Sequence, residues 1–233
     1  MATIHLHPTA ELAPRVLLPG DPGRALLLAQ TLLRDPKMFN HNRGLWGYTG
    51  LASDGEPMTI QATGMGGPSA AIVVSELVEL GAVRLVRVGT CGSLVESLRL
   101  GSLVNVSGAL PRDGTSAALG ASGVVAPDEE LHASLLAAAT GAVDGVAVST
   151  DLFYRPGDEF DPVAEWSSEG AVAVEMEAAA LFQLGRRLGV ATACVLAVTD
   201  ELAAGSRERI SEHALREASE AVGRAGAAAL GAA

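Results

Sequence analysis

Aromatic side chains are scarce in this 233-residue chain, at 3 % of its residues. A core of this size must then be built from aliphatic side chains in closely packed strands and alanine-rich helices. Cysteine is nearly absent too. Only Cys91 and Cys194 occur, each inside an apolar, strand-like run, which excludes a disulfide framework and leaves both as small buried hydrophobes suited to a reducing cytoplasm. Basic residues are outnumbered, 16 Lys and Arg against 27 Asp and Glu, for a formal net charge of −11. That balance argues against broad binding to nucleic acid or to anionic membranes, since both depend on accumulated cations. Any anionic ligand must be held by a few placed arginines. No apolar run approaches the ~18 residues of a membrane span, and the N-terminus lacks a basic stretch followed by an apolar core. The expectation is a cytoplasmic protein with no export signal, no membrane anchor and, lacking metal-ligand spacing, no metal.

Hydrophobic residues make up 48 % of the chain, with 27 glycines. This composition fits one α/β domain over residues 1–233, large enough to bury roughly 70–75 % of the surface its unfolded chain exposes. The organising stretch is residues 85–93, Leu-Val-Arg-Val-Gly-Thr-Cys-Gly-Ser. Its first half reads as a buried strand and its second as a glycine turn that admits close approach to a ligand. Arg87 sits where the strand should feed the core, and a buried guanidinium requires an anion. Either a local carboxylate supplies it, or Arg87, Thr90 and the backbone N–H groups form a phosphate cradle.

Along the chain, residues 15–18 read as a short strand, and Asp21 as the N-cap of a helix with Pro22 in its first position. Gly20 can bring a backbone N–H to an oxyanion. Arg24 lies in the first helical turn, where its charge opposes the helix dipole unless an anion intervenes. Residues 47–51 and 58–62 read as a hairpin with Arg43 just outside it. A glycine-rich loop at residues 64–69 precedes a helix over residues 70–80. Residues 111–123 read as a polar loop, 127–139 as a helix and 146–150 as a strand running towards the adjacent aromatics Phe153 and Tyr154.

A strand over residues 171–174 delivers Glu175, Met176 and Glu177 to a helix whose Met176, Ala180, Leu184 and Leu188 predict one buried stripe. In a regular helix Glu175 and Glu177 diverge by about 200°, so at most one should enter a given pocket. Residues 190–198 form the most apolar strand, which ends in Thr199 and Asp200. Ligands in open α/β sheets gather outside the carboxyl ends of strands, which places Asp200 for proton chemistry, although from spacing alone an ordinary N-cap or loop aspartate is the simpler reading. A final helix is expected over residues 207–230, with Arg207, Arg209 and Arg216 in its first half.

Together these pieces resemble the nucleoside phosphorylase-I family, which holds the hexameric bacterial purine nucleoside phosphorylases and the uridine phosphorylases. The resemblance runs nearly end to end. It is carried by the motifs at residues 19–25 (PGDPGRA), 42–44 (NRG), 63–66 (TGMG), 87–92 (RVGTCG), 151–154 (DLFY), 174–178 (VEMEA) and 198–200 (VTD). It implies an α/β fold of three layers, α/β/α, around a mixed, partly barrel-like central sheet, and reversible phosphorolysis of a nucleoside with phosphate as co-substrate and no cofactor.

By the same resemblance, Gly20, Arg24, Arg87 and Thr90 match the phosphate site. Arg43 matches a phosphate-binding arginine from a neighbouring subunit, and His5 a neighbour's histidine near the sugar 5′-hydroxyl. The implied assembly is a homo-oligomer with shared active sites, a hexamer built from dimers. Glu175, Met176 and Glu177 match the nucleoside-binding segment, with Glu177 on the sugar hydroxyls, and Phe153 matches the aromatic beside the base. Asp200 matches the acid that protonates a purine at N7, helped by Arg209 or Arg207. Uridine phosphorylases typically use a glutamine and an arginine after the Phe-Tyr pair. Residues 155–161 contain no glutamine, which favours purines, with uridine phosphorolysis as the alternative. A nucleosidase would lack the phosphate-binding arginines, and a non-catalytic nucleoside sensor would tolerate loss of Asp200.

Overall fold

A computed structural model describes residues 3–154, 162–203 and 208–231. Residues 155–161, the segment compared above with that of uridine phosphorylases, and Arg207 lie outside the described residues. The first half of the chain forms β1 (Arg15–Leu18), α1 (Pro22–Leu32), β2 (Arg34–Asn40), β3 (Gly47–Leu51), β4 (Pro57–Gln61), α2 (Gly67–Glu79), β5 (Arg84–Ser93) and β6 (Leu103–Arg112). It continues with α3 (Gly114–Ala118), α4 (Glu129–Ala138), β7 (Val143–Thr150), α5 (Val163–Ser168), β8 (Ala171–Glu175), α6 (Ala178–Leu188), β9 (Ala191–Glu201), β10 (Glu208–Arg209) and α7 (Glu212–Gly231).

The strands form a ten-stranded mixed sheet in the order β10-β9-β6-β7-β8-β5-β1-β4-β3-β2, and a further β9–β5 pairing closes β9, β6, β7, β8 and β5 into a barrel-like ring. Residues of β5 and β9 alternate between two cores, as the period of two along a strand requires. Leu85, Cys194 and Leu196 pack with Val73, Leu77 and Phe182 from α2 and α6. Val86, Val88 and Val195 pack with Leu28, Leu131 and Val222 from α1, α4 and α7. Helices therefore cover both faces. The carboxyl ends of β5 and β9 are carried past the core and become the walls of a cavity.

The start signal at Asp21 holds, as it caps α1 by accepting from Gly23 N, and the helix expected over residues 127–139 begins at Glu129, capped by Asp128, which accepts from Leu131 N. The departures have physical causes. The strand β2 went unanticipated because Arg34–Lys37 is charged and contains Pro36, a composition that only a sheet edge tolerates. The expected loop over residues 111–123 contains the end of β6 and the short α3, whose cap Asp113 accepts from Ser116 N. The last helix begins at Glu212, not near residue 207; before it, Arg209 lies in β10 opposite Asp200. Backbone pairing to β9, including Ile210 N to Thr199 O at 2.9 Å, overrides local helix preference there. The predicted stripe of α6 is also shorter than its sequence repeat. Met176 precedes the helix, and Leu188 in its last turn is 42 % exposed.

Candidate active site

The cavity at the carboxyl ends of β5 and β9 has a volume of about 810 Å³. Gly20, Arg24, Arg87, Thr90 and Asp200 line it, as do Phe153, Glu175, Met176 and Glu177. These residues come from the first turn of α1, the end of β5, the β7 and β8 ends and the end of β9, so the fold gathers them from across the sequence. His5, Arg43 and Arg209 do not line it.

Arg87 is 6 % exposed. Its Nε lies 3.1 Å from Glu175 Oε2, and its Nη2 pairs with Glu177. Burial works against the charged form, but the carboxylates of Glu177 and Glu175 overcome it and raise its pKa above the ordinary value. The side chain folds back over Gly89, where a Cβ would stand 2.9 Å from the guanidinium carbon, so only glycine leaves it room. Local carboxylates therefore hold the cation, which also lines the cavity.

The two glutamates do not diverge as helix geometry predicted. Glu175 ends β8 and Glu177, with φ −141° and ψ −22°, caps α6, so neither is inside a regular helix. Glu175 accepts from the Ser149 hydroxyl and from the backbone N–H groups of Glu177 and Ala178, both at 2.9 Å, besides Arg87. With both oxygens engaged it acts as an anchor for Arg87 and the start of α6. Glu177 accepts from Gly66 N. Burial pushes its carboxyl up, opposed by Arg87 and reinforced by Glu175.

Arg24 differs from Arg87. It is half-buried, and among the described residues no carboxylate lies within ion-pair distance and no hydrogen bond holds its side chain. Burial lowers its pKa from the usual arginine value; Asp21 and Glu177 oppose that shift, and the like charge of Arg87 adds to it. Two guanidiniums face one cavity, one of them without a carboxylate partner among the described residues, an arrangement able to hold an anion. Burial raises the pKa of the Cys91 thiol, which argues against a nucleophilic role for this cavity residue. Among the described residues no group of three or more His, Cys, Asp or Glu is placed to hold a metal.

At the other end of the cavity Asp200 is 6 % exposed and lies near apolar walls that include Phe153, Trp166 and Leu202. Phe153 and Tyr154 meet edge to face at 4.9 Å, and both are exposed, at 49 % and 78 %, not core. Arg209 is exposed, in register with Asp200 across the β9–β10 pair.

His5 and Arg43 occupy a different surface. Glu76 on α2 accepts from the backbone N–H groups of Ile4, His5 and Leu6 and sits 2.7 Å from His5 Nδ1. Asn42 donates to the His5 carbonyl at 2.9 Å, which ties that segment to the turn carrying Arg43. Arg43 is exposed and held in the left-handed region, φ 58° and ψ 18°, a conformation that costs energy for a non-glycine residue. Ile4, Ile72 and Trp46, exposed at 76 %, 41 % and 38 %, lie on or beside the same segments.

Sequence reasoning passed over Trp166, Thr199, Ser149 and Glu76. Trp166 sits in a short helix without periodic signal. Thr199 is a hydroxyl inside the motif at residues 198–200 and Ser149 lies two positions before the one at 151–154, places that could have marked them.

The chain is similar to known proteins over most of its length. A family model described as the phosphorylase superfamily matches residues 14–232. The chain is 36 % identical over 209 residues to a DeoD-type purine nucleoside phosphorylase of Clostridium novyi (strain NT), covering 87 % of this chain and 88 % of that protein. It is also 36 % identical over 197 residues to a guanosine phosphorylase of Halorubrum lacusprofundi, covering 82 % of this chain and 80 % of that one. A crystal structure of purine nucleoside phosphorylase from Toxoplasma gondii with immucillin-H superposes with a TM-score of 0.87 at 24 % identity, covering 99 % of this chain and 98 % of that one, which shows the shared fold. With the family model spanning nearly its whole length and these relatives matching over most of theirs, the chain belongs to the phosphorylase superfamily.

Proposed function

We infer that this protein is a purine nucleoside phosphorylase, a pentosyltransferase that cleaves a purine nucleoside with inorganic phosphate to free base and (deoxy)ribose 1-phosphate, reversibly. The observation that carries this reading is Arg24, half-buried beside Arg87 in the cavity that also holds Asp200 and lacking an ion-pair partner among the described residues. A phosphate supplies the missing anion. The relatives bearing the names purine nucleoside phosphorylase and guanosine phosphorylase support the choice of purine.

Arg87 in β5 pairs with Cys194, and Gly92 with Asp200. The five steps from residue 87 to residue 92 span about 16 Å of strand at ~3.3 Å each, room for a phosphate and a nucleoside end to end. In the reaction the bond from C1′ to N9 breaks and its electron pair goes to the base, while a phosphate oxygen bonds to C1′. Positive charge grows on the sugar and negative charge on the base. Arg24, Arg87, Thr90 and the backbone at Gly20 hold the phosphate, Glu177 and Met176 the sugar, and Phe153 flanks the base. Asp200 gives a proton to N7, favouring the transition state over the ground state. Phosphate is a co-substrate and no cofactor enters. Base release from inosine, adenosine and uridine, with and without phosphate, tests the reading: phosphate-dependent release from the purine nucleosides is expected. Release from uridine alone, or release without phosphate, would overturn it.

We also propose that the chain works as one domain in the cytoplasm, in a homo-oligomer whose copies lend one another His5 and Arg43, with a hexamer as the assembly. Among the described residues no helix is long and apolar enough to cross a membrane. Both lent residues lie off their own chain's cavity, on a surface with exposed Ile4, Ile72 and Trp46. Mixing Arg43→Ala protein with Asp200→Asn protein, each impaired alone, is expected to restore phosphorolysis after subunit exchange, because some sites then combine two intact halves. Failure of the mixture to regain activity despite exchange would refute site sharing.

A further inference from the structure

Neighbouring side chains of a regular strand point to opposite faces, yet Thr199 and Asp200 both line the cavity. The register of β5 against β9 accounts for this. Cys91 faces Val198 and Gly92 faces Asp200, which leaves Thr199 as an extra residue on β9. Such a bulge re-aims side chains beside a site. Here it sets Thr199 Oγ1 3.0 Å from Asp200 Oδ2 and 3.3 Å from the Cys91 carbonyl oxygen. The hydroxyl is well fixed: Thr199 is 8 % exposed, and its own carbonyl accepts from Ile210 N at 2.9 Å.

A hydroxyl has one proton to donate, and the Cys91 carbonyl can only accept. The Thr199 proton therefore goes either to Asp200 Oδ2 or to Cys91, and in the second state the hydroxyl can accept from a proton carried on Oδ2. An acid serving a leaving group must carry its proton on the oxygen that faces that group. We propose that Thr199 is a positioning residue for Asp200: by donating to Oδ2 it keeps the transferable proton on Oδ1 and holds the carboxylate that remains after transfer. The proposal rests on the reading that Asp200 protonates the purine. In the step, the Oδ1–H bond breaks and N7–H forms as the glycosidic electron pair moves to the base. Asp200 is left as a carboxylate that still accepts from Thr199, a charge-assisted bond stronger than the one before transfer.

A purine nucleoside methylated at N7 leaves as a neutral base without receiving a proton, so it separates this role from a merely structural one. Steady-state kinetics of wild type, Thr199→Val and Thr199→Ser on inosine and on 7-methylinosine, at saturating phosphate, make the test. In Thr199→Val, kcat for inosine is expected to fall about ten- to a hundredfold further than kcat for 7-methylinosine, the effect of losing a hydrogen bond to a charged group. Thr199→Ser is expected to restore the ratio, and the phosphate KM to stay near its wild-type value. Turnover of 7-methylinosine reports whether each variant is folded, and Thr199→Ala, which adds no bulk, replaces the valine variant if that one is unfolded. Equal losses on both nucleosides, no loss on either, or failure of serine to restore the ratio would overturn the role of Thr199 alone. A wild-type protein that releases no base from inosine with phosphate would overturn the function itself, and this inference with it.

Discussion

Asp200→Asn is expected to lower kcat for inosine by about 10²- to 10⁴-fold, the range that a positioned general acid contributes. The departing purine carries the electron pair of the glycosidic bond, and an amide of the same shape has no acidic proton to give it. Asp200 is nearly buried beside the apolar wall of the cavity, so bulk water is poorly placed to substitute. The phosphate KM should change little, because Arg24 and Arg87 lie at the other end of the site and are untouched. Turnover of 7-methylinosine should fall far less than turnover of inosine. An unchanged kcat for inosine would remove Asp200 from the chemistry.

Arg87→Ala is expected to damage both folding and catalysis. The guanidinium is paired with Glu175 and Glu177, and all three side chains are nearly buried. Removing the cation leaves two carboxylates facing each other in a low dielectric, and breaking a buried pair in this way costs ~3–5 kcal/mol. For a chain of this length that corresponds to a fall in Tm of roughly 6–20 °C. Calorimetry on the Arg87→Ala, Glu177→Gln double variant should recover part of this loss by removing one stranded charge, while phosphate use stays lost. Arg24→Ala supplies the contrast. Arg24 has no ion pair among the described residues to break, so the phosphate KM should rise strongly while Tm holds or increases, since a desolvated cation has been removed. Equal thermal losses in the two variants would mean that Arg24 is held by the fold and not poised for an anion.

The class of the fold and most of the side chains that line the cavity were legible in the sequence alone. Apolar runs of period two, the capped helix start at Asp21, and glycine-bounded turns are local signals, and local physics sets them wherever the segment ends up. The anion requirement of Arg87 was legible for the same reason: a cation in an apolar run needs a partner, whichever residue provides it. Which partner it takes was decided by tertiary structure. Glu175 and Glu177 lie 88 and 90 positions away along the chain, and only the meeting of the β8 end with β5 brings them to the guanidinium.

Helix periodicity set those two glutamates apart because it assumes regular backbone, and the junction between β8 and α6 is not regular. The β10 strand at Arg209 and the bulge at Thr199 were hidden for a related reason. The bulge depends on the register of β9 against β5, strands distant in sequence, and β10 on a short-range pairing back onto β9 that composition alone does not announce. Composition and spacing state what each segment prefers and which groups need partners. Long-range pairing chooses among the partners, and here it decided which carboxylates anchor the cation and brought Asp200 to the wall of the same cavity.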